Sequence, residues 1–447
     1  MKGNDDWWWR MPQQGVLQHE IDAELKEALE SPENCIDYEK NPVLGFPGTT
    51  PSEIALRTHQ LFAPRQPNNI GCHTVGKKAE VGFEGTQELE RRLIYAVADM
   101  IGVTDPKQEV DGYVCNGGTD GNYHGLWLAR NKLWAERKIK PGEKRGVVVL
   151  HSHLFHYSLP KAFDRLLGYE PDEPEENRRG DIVELPTNDV GELTPETVEE
   201  YVLEYWRRGY RRFAVFLTVG TTNLGSVDPV GEVNDVLEHL VTKLGIAVTI
   251  HVDAAFGGFV LPFLEPDFHF AFRHSLVASV VLDAHKTGGM LYSAGLFLCR
   301  KGLLKYTQTH APYVNSHADH TVPGSRSGAA AAACWATVMH HGREGYARIA
   351  AECMKTREYL ASRFREVPGV FVFPARVNIL TVCLPEPLDE DFRESYCIVP
   401  DTFPEPLSSR VRDDNKRIKR TQGVYRFTVM PHVTEEKIKQ FFREWQR

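Results

Sequence analysis

Short apolar runs alternate with longer stretches of helical period from residue 113 to residue 285. The runs cover residues 113–115, 147–150, 182–185, 213–219, 246–252 and 277–282. Each is short and almost uniformly apolar, so it reads as a strand covered on both faces, and the helical stretches between read as crossovers. Together they predict βα units and a mostly parallel sheet. The run 116–122, Asn-Gly-Gly-Thr-Asp-Gly-Asn, opens a helix that continues through Leu126, Leu128 and Ala129. Thr194, followed by Pro195 and Glu196, starts another.

Outside this core the pattern changes. Ile21, Leu25 and Leu29 mark one stripe of a helix over 19–30 that ends before Pro32, and residues 41–50 are too rich in Gly and Pro for regular structure. Thr86 is predicted to N-cap a helix that turns Leu89, Leu93, Ala96, Val97 and Met100 inward. From about Ser327 an alanine-rich run and a helix to Phe364 leave the sheet. Two strands near Phe371 and Ile379 begin a smaller α+β lobe, and a helix from Thr434 ends the chain. The expected division is an N-terminal arm and loop over 1–50, a large lobe over 51–330 and a small C-terminal lobe over 331–447. Regions 171–180 and 305–324 carry no pattern and are expected to be loops.

Composition narrows the classes. At 447 residues and 42% hydrophobic content the chain can bury a large core. A net charge of -9 and a pI of 6.1 leave no basic surplus for a nucleic-acid partner, and the basic run from Arg410 to Arg420 is interrupted by Asp413 and Asp414. The eight cysteines are scattered without a CxxC pair, as expected of small buried hydrophobes in a reducing compartment. No apolar stretch has the length of a signal peptide or membrane span, so the expected location is cytoplasmic, with no membrane partner. Trp7, Trp8 and Trp9 in a row fit an arm packing on another subunit.

The candidate chemistry lies where strands end. Lys286 follows the apolar run 277–282, at the edge of the sheet where open α/β folds bind ligands, and burial there suits an amine to attack a carbonyl. Gly117, Gly118 and Thr119 offer free backbone N–H groups at a helix start, a cradle for phosphate. Asp253 ends a second strand and is followed by Ala254 and Ala255, small enough for a flat ring to lie against them. A buried carboxylate requires a cationic partner, and a protonated pyridine nitrogen would serve. His156 follows a third strand and suits the opposite ring face, and Thr218 ends a fourth. Phosphate cradle, ring sandwich, ring-nitrogen carboxylate and amine are the requirements of pyridoxal 5'-phosphate. His310, His317 and His320 fall in a loop without rigid support for coordination, and no metal is expected.

In order, the motifs GGTDGNYHG, HYSLPKA, TVGTTNLGSVDP, HVDAAFGGF, DAHK and GSRSG resemble those of the group II pyridoxal-phosphate-dependent amino-acid decarboxylases. The branch with bacterial histidine decarboxylase, plant serine decarboxylase and archaeal tyrosine/aspartate decarboxylases is the most similar. The likeness is strong over about 40–330, and RFTVMPHVT extends it towards the C-terminus. It implies the aspartate aminotransferase fold (type I), and an L-α-amino acid converted to a primary amine and CO2. It further implies Lys286 as the Schiff-base lysine, Asp253 on the pyridine nitrogen, His156 and Ala255 against the two ring faces, and Gly118, Thr119 and His285 near the phosphate. Thr218 is implied near the ring substituents, and Tyr313, with Tyr306 as second choice, as the proton donor reaching across a homodimer. Phe46, Thr49 and His73 match segments that shape the side-chain pocket in relatives. The alternatives are another pyridoxal-phosphate lyase, an aminotransferase of the same fold, or an inactive binding protein. Asp283 stands where several relatives carry Asn or Ser near the phosphate, so its carboxylate must point away or meet a cation.

Overall fold

The computed structural model describes residues 11, 13–30, 35–76, 81–168, 178–401 and 423–445. The tryptophans at 7–9, the basic run 410–420 and most of the loop at 171–180 lie outside these residues.

Seven strands form the central sheet: β1 (Val110–Cys115), β2 (Val147–Ser152), β3 (Gly180–Leu185), β4 (Arg212–Thr218), β5 (Ala247–Asp253), β6 (Val277–Asp283) and β7 (Gly295–Arg300). Their order is β1-β7-β6-β5-β4-β2-β3. Pairs β2–β3, β2–β4, β4–β5 and β5–β6 are parallel, while β7 is antiparallel to both its neighbours. Six strands therefore run one way, and the loops after β1, β2, β4, β5 and β6 leave the same edge. The expected strands are all present, and β7 is an addition. Its apolar run follows β6 without a helical crossover, so it returns antiparallel.

The strands are apolar because helices cover both faces. Val148, Leu150, Val215, Leu217, Val252 and Val280 are fully buried in the main cluster, each contributing about 1.5–3 kcal/mol by leaving water. Across the other face runs the helix Gly118–Glu136, which approaches closely through its glycines. A Cβ on Gly121 would overlap Val281 Cγ2, and one on Gly125 would overlap the His251 ring. Thr194 caps the helix Pro195–Arg207 as expected, accepting from Thr197 N. Thr86 does not cap its helix. The helix Glu84–Met100 begins after Phe83, and the Thr86 hydroxyl is taken up by Asn69 Oδ1 at 2.8 Å.

The helix Gly328–Arg365, broken at Gly342, leads to a four-stranded antiparallel sheet of Phe371–Val372, Ile379–Leu384, Gly423–Thr428 and Val399–Asp401. A second apolar cluster unites this sheet with the helix Glu435–Trp445, through Phe364, Phe427 and Phe441. Leu44 belongs to the same cluster. Its N–H donates to Tyr396 O at 3.0 Å, and Thr428 N–H donates to Leu44 O at 2.8 Å. Gly45 is required there, because a Cβ would lie 2.7 Å from Ile398 Cα.

The N-terminal helix Gln18–Glu30 forms as expected, but none of its residues is buried, and Ile21, Leu25 and Leu29 face outward. No helix among the described residues is long and apolar enough to cross a membrane.

Candidate active site

A cavity of about 1130 Å³ opens at the strand-end edge of the sheet. Its wall includes Gly117, Gly118 and Thr119 after β1, His156 after β2, Thr218 at the end of β4, Asp253 and Ala255 at the end of β5, and His285 and Lys286 after β6. Residues as far apart in the chain as Gly117 and Lys286 thus meet at one place.

Lys286 points its ammonium to Asp283 Oδ2 at 3.0 Å and sits 3.8 Å from the Phe256 ring centroid. The Asp283 carboxylate therefore meets a cation. Its Oδ2 is also 3.7 Å from His285 Nε2, and its Oδ1 is buried without a hydrogen-bond partner. Burial lowers the pKa of His285, whose Nδ1 contacts Ala294 O at 2.8 Å and whose ring stacks near Tyr292 at 4.3 Å. A Cβ on Gly118 would come 3.2 Å from Asp283 Oδ2 and 3.4 Å from Ala255 Cβ. The glycines thus keep the floor open at the start of the helix Gly118–Glu136, where backbone N–H groups attract an anion.

Asp253 is held from behind. Its Oδ2 accepts from Asn122 Nδ2 at 2.7 Å and its Oδ1 from Ala255 N at 3.0 Å. Asn122 also donates to Ser158 Oγ at 2.8 Å, while its Oδ1 lies 2.9 Å from His251 Nε2. His251 Nδ1 meets Ser279 Oγ at 2.8 Å, and burial pushes the histidine down to about 3, so the ring is neutral. An amide oxygen can only accept, so Nε2 carries the proton and Nδ1 accepts from the serine. Every polar atom of this chain is engaged, which fixes the carboxylate's direction. Asn122, Ser158, His251 and Ser279 escaped the sequence reading. The available signal was Asn122, four residues after Gly118 and so on the same helix face.

His156 accepts from Ser158 N at 3.3 Å. Burial lowers its pKa, with Asp253 opposing, which leaves a flat neutral ring on the cavity wall. Thr218 Oγ1 is buried without a hydrogen-bond partner. Tyr313 lines the cavity mouth and is 85% exposed, whereas Tyr306 bonds Glu136 at 3.0 Å and does not line it.

Phe46, Thr49 and His73 are not on the cavity wall. Phe46 stacks on Tyr38 at 6.4 Å, leaving its neighbour Pro47 to line the cavity. Thr49 meets His432 Nδ1 at 3.3 Å. His73 turns inward, 3.3 Å from Glu90, a carboxylate also bound by Arg326, and burial pushes it down to about 4.

The residues fit pyridoxal phosphate. One orphaned polar atom, Thr218 Oγ1, borders a site with a glycine cradle at one side and an amine at another. Fold and site together define a type I pyridoxal-phosphate enzyme. More narrowly, the model of the pyridoxal-dependent decarboxylase conserved domain matches residues 69–385, and the chain belongs to that family. Tryptophan decarboxylase of Clostridium sporogenes is 30% identical over 427 residues, covering 93% of each chain. A probable L-aspartate decarboxylase of Archaeoglobus fulgidus is 28% identical over 93% of this chain and 96% of its own. Among solved structures, L-methionine decarboxylase from Streptomyces sp.590 superposes with a TM-score of 0.76 at 20% identity, covering 98% and 96% of the two chains. The protein is a pyridoxal-phosphate-dependent amino-acid decarboxylase.

Proposed function

We propose that Lys286 is the covalent anchor of the cofactor and that the substrate is an L-α-amino acid with a bulky, aromatic side chain. Bound pyridoxal phosphate supplies the sink for the electron pair left when CO2 departs. Asp253 keeps a proton on the ring nitrogen, and the Asn122 amide and Ala255 N–H hold that carboxylate in line. His156 and Ala255 would flank the ring, the cradle at Gly117, Gly118 and Thr119 would hold the phosphate beside His285, and Thr218 would serve the ring hydroxyl. Tyr313 returns a proton to the carbon that lost the carboxylate.

One observation carries this reading: the loops after five parallel strands bring an amine, a buttressed carboxylate and a glycine cradle onto the wall of one cavity. Replacing Lys286 with Ala should abolish both CO2 release and the cofactor trapped on the protein by borohydride; a fully active variant overturns the assignment.

The substrate reading rests on the cavity's volume and on Tyr123, Trp127, Tyr157, Tyr292 and Tyr313 along its wall. Relatives named for tryptophan and for tyrosine/aspartate support an aromatic side chain. CO2 release should be fastest with tryptophan or tyrosine in a panel that includes histidine, aspartate, serine and methionine. Preference for aspartate or serine overturns this part alone.

A cytoplasmic homodimer belongs to the same proposal. The exposed stripe of Ile21, Leu25 and Leu29 and the exposed Tyr313 support a facing subunit, and eight free cysteines suit a reducing compartment. The division into lobes also belongs to it, with residues 43–49 assigned to the small lobe. Light scattering of the purified protein should give twice the chain mass.

A further inference from the structure

The segment that carries Tyr313 is a hairpin, with Thr309–His310 paired to Ala318–Asp319 and the tyrosine between them at the tip. The two feet of this hairpin each reach one of two buried side chains that bond one another. Tyr113 of β1 places its hydroxyl 2.8 Å from His124 Nδ1, and Val322 N–H donates to that hydroxyl at 3.3 Å. On the other side His124 Nε2 lies 3.1 Å from Thr307 Oγ1, which in turn meets His320 O at 3.4 Å and Leu304 O at 3.3 Å. Tyr113, His124 and Thr307 are all at most 1% exposed, and none of them lines the cavity.

The protons in this chain have one consistent direction. A backbone N–H only donates, so the Tyr113 oxygen accepts from Val322 and gives its own proton to Nδ1. Burial pushes His124 down to about 3, so the ring is neutral and its single proton sits on Nε2. That proton goes to Thr307 Oγ1, whose hydrogen goes to a carbonyl at the foot of the hairpin. Buried groups so connected cost the desolvation of each if one link is cut. The clamp is also tied to the cradle: His124 lies on the helix Gly118–Glu136, so one rigid rod carries the phosphate floor at its start and the hairpin's anchor further along.

We propose that Tyr113, His124 and Thr307 are positioning residues that hold both feet of the Tyr313 hairpin, so that the tip presents its hydroxyl to the substrate carbon from a fixed base. This rests on the reading of Tyr313 as proton donor. Nothing in it requires the three residues to touch substrate or cofactor.

The test uses the cofactor-loaded enzyme with Tyr113→Phe, Thr307→Val and Tyr313→Phe, each assayed for kcat, KM, borohydride-trapped cofactor and the rate of chymotryptic cleavage after Tyr313. Tyr113→Phe keeps the ring and removes only the link between the feet. It should speed cleavage after Tyr313 by about tenfold and lower kcat by a similar factor, with KM within about twofold and trapped cofactor unchanged. Thr307→Val should do the same from the other foot, and serves alone if Tyr113→Phe fails to fold. Wild-type cleavage rates in both variants overturn the clamp whatever happens to kcat. Full activity in Tyr313→Phe overturns the proton-donor reading, and the cleavage rates then still decide whether the feet are held.

Discussion

The Lys286 ammonium lies 3.0 Å from Oδ2 of Asp283, a carboxylate 3% exposed at the end of β6. The same carboxylate borders the cradle, 3.2 Å from where a Cβ on Gly118 would stand. It therefore engages the amine in an ion pair that must break before the amine can attack an aldehyde, and it repels a phosphate. Both effects oppose loading, so Asp283→Asn should bind pyridoxal phosphate more tightly, by roughly tenfold, or about 1.4 kcal/mol. Spectroscopic titration of the cofactor-free protein measures this; unchanged or weaker binding would refute it.

Asn122→Ala leaves one oxygen of Asp253 and Nε2 of His251 buried without partners. The loss should be about 1–3 kcal/mol, read as roughly a 5- to 150-fold fall in kcat. Steady-state kinetics with borohydride trapping distinguishes this from simple loss of cofactor, since trapping should persist.

Gly121→Ala sets two effects against each other. Alanine favours the helix by about 1 kcal/mol, but its Cβ would overlap Val281 Cγ2 on β6. Overpacking costs about 1–3 kcal/mol and lifts the helix that carries the cradle. Overpacking should win, with lower stability in urea and weaker cofactor retention on gel filtration.

His432 lies between Val43 O and Thr49 Oγ1, each at 3.3 Å, and burial pushes it down to about 4 from an ordinary 6.5. The unfolded chain therefore binds a proton that the folded chain refuses between those values. Stability from this group is complete above pH 6.5 and is lost as pH falls towards 4, at up to about 1.4 kcal/mol per pH unit. His432→Gln keeps a donor and an acceptor without the titration, so the stability slope at pH 5 should become shallower by about that amount in urea melts.

The large sheet was legible because buried parallel strands write continuous apolar runs, and its cavity because Lys286, Asp253 and His156 each follow such a run. Strand β7 was hidden by its lack of a crossover helix. Thr86 misled because a capping sequence cannot announce that Asn69 will claim its hydroxyl. Phe46, Thr49 and His73 misled for a related reason: Tyr38, His432 and Glu90 hold them, and for Thr49 that partner is 383 residues away. The Asn122–His251 relay lies on interior faces, where polar residues look the same in sequence whether they buttress a site or fill a core.

Gly45 O accepts from Thr428 Oγ1 across 383 residues, and Pro47, two places on, lines the cavity. A ribosome adding about 5–20 residues per second needs roughly 20–80 s to travel between those two points. Until Leu360 and the residues after it are made, Leu44 has no apolar cluster to enter. The pocket therefore gains its final wall only once Thr428 has been made, and a chain that stopped short of that residue would have its catalytic edge assembled and its entrance unbuilt.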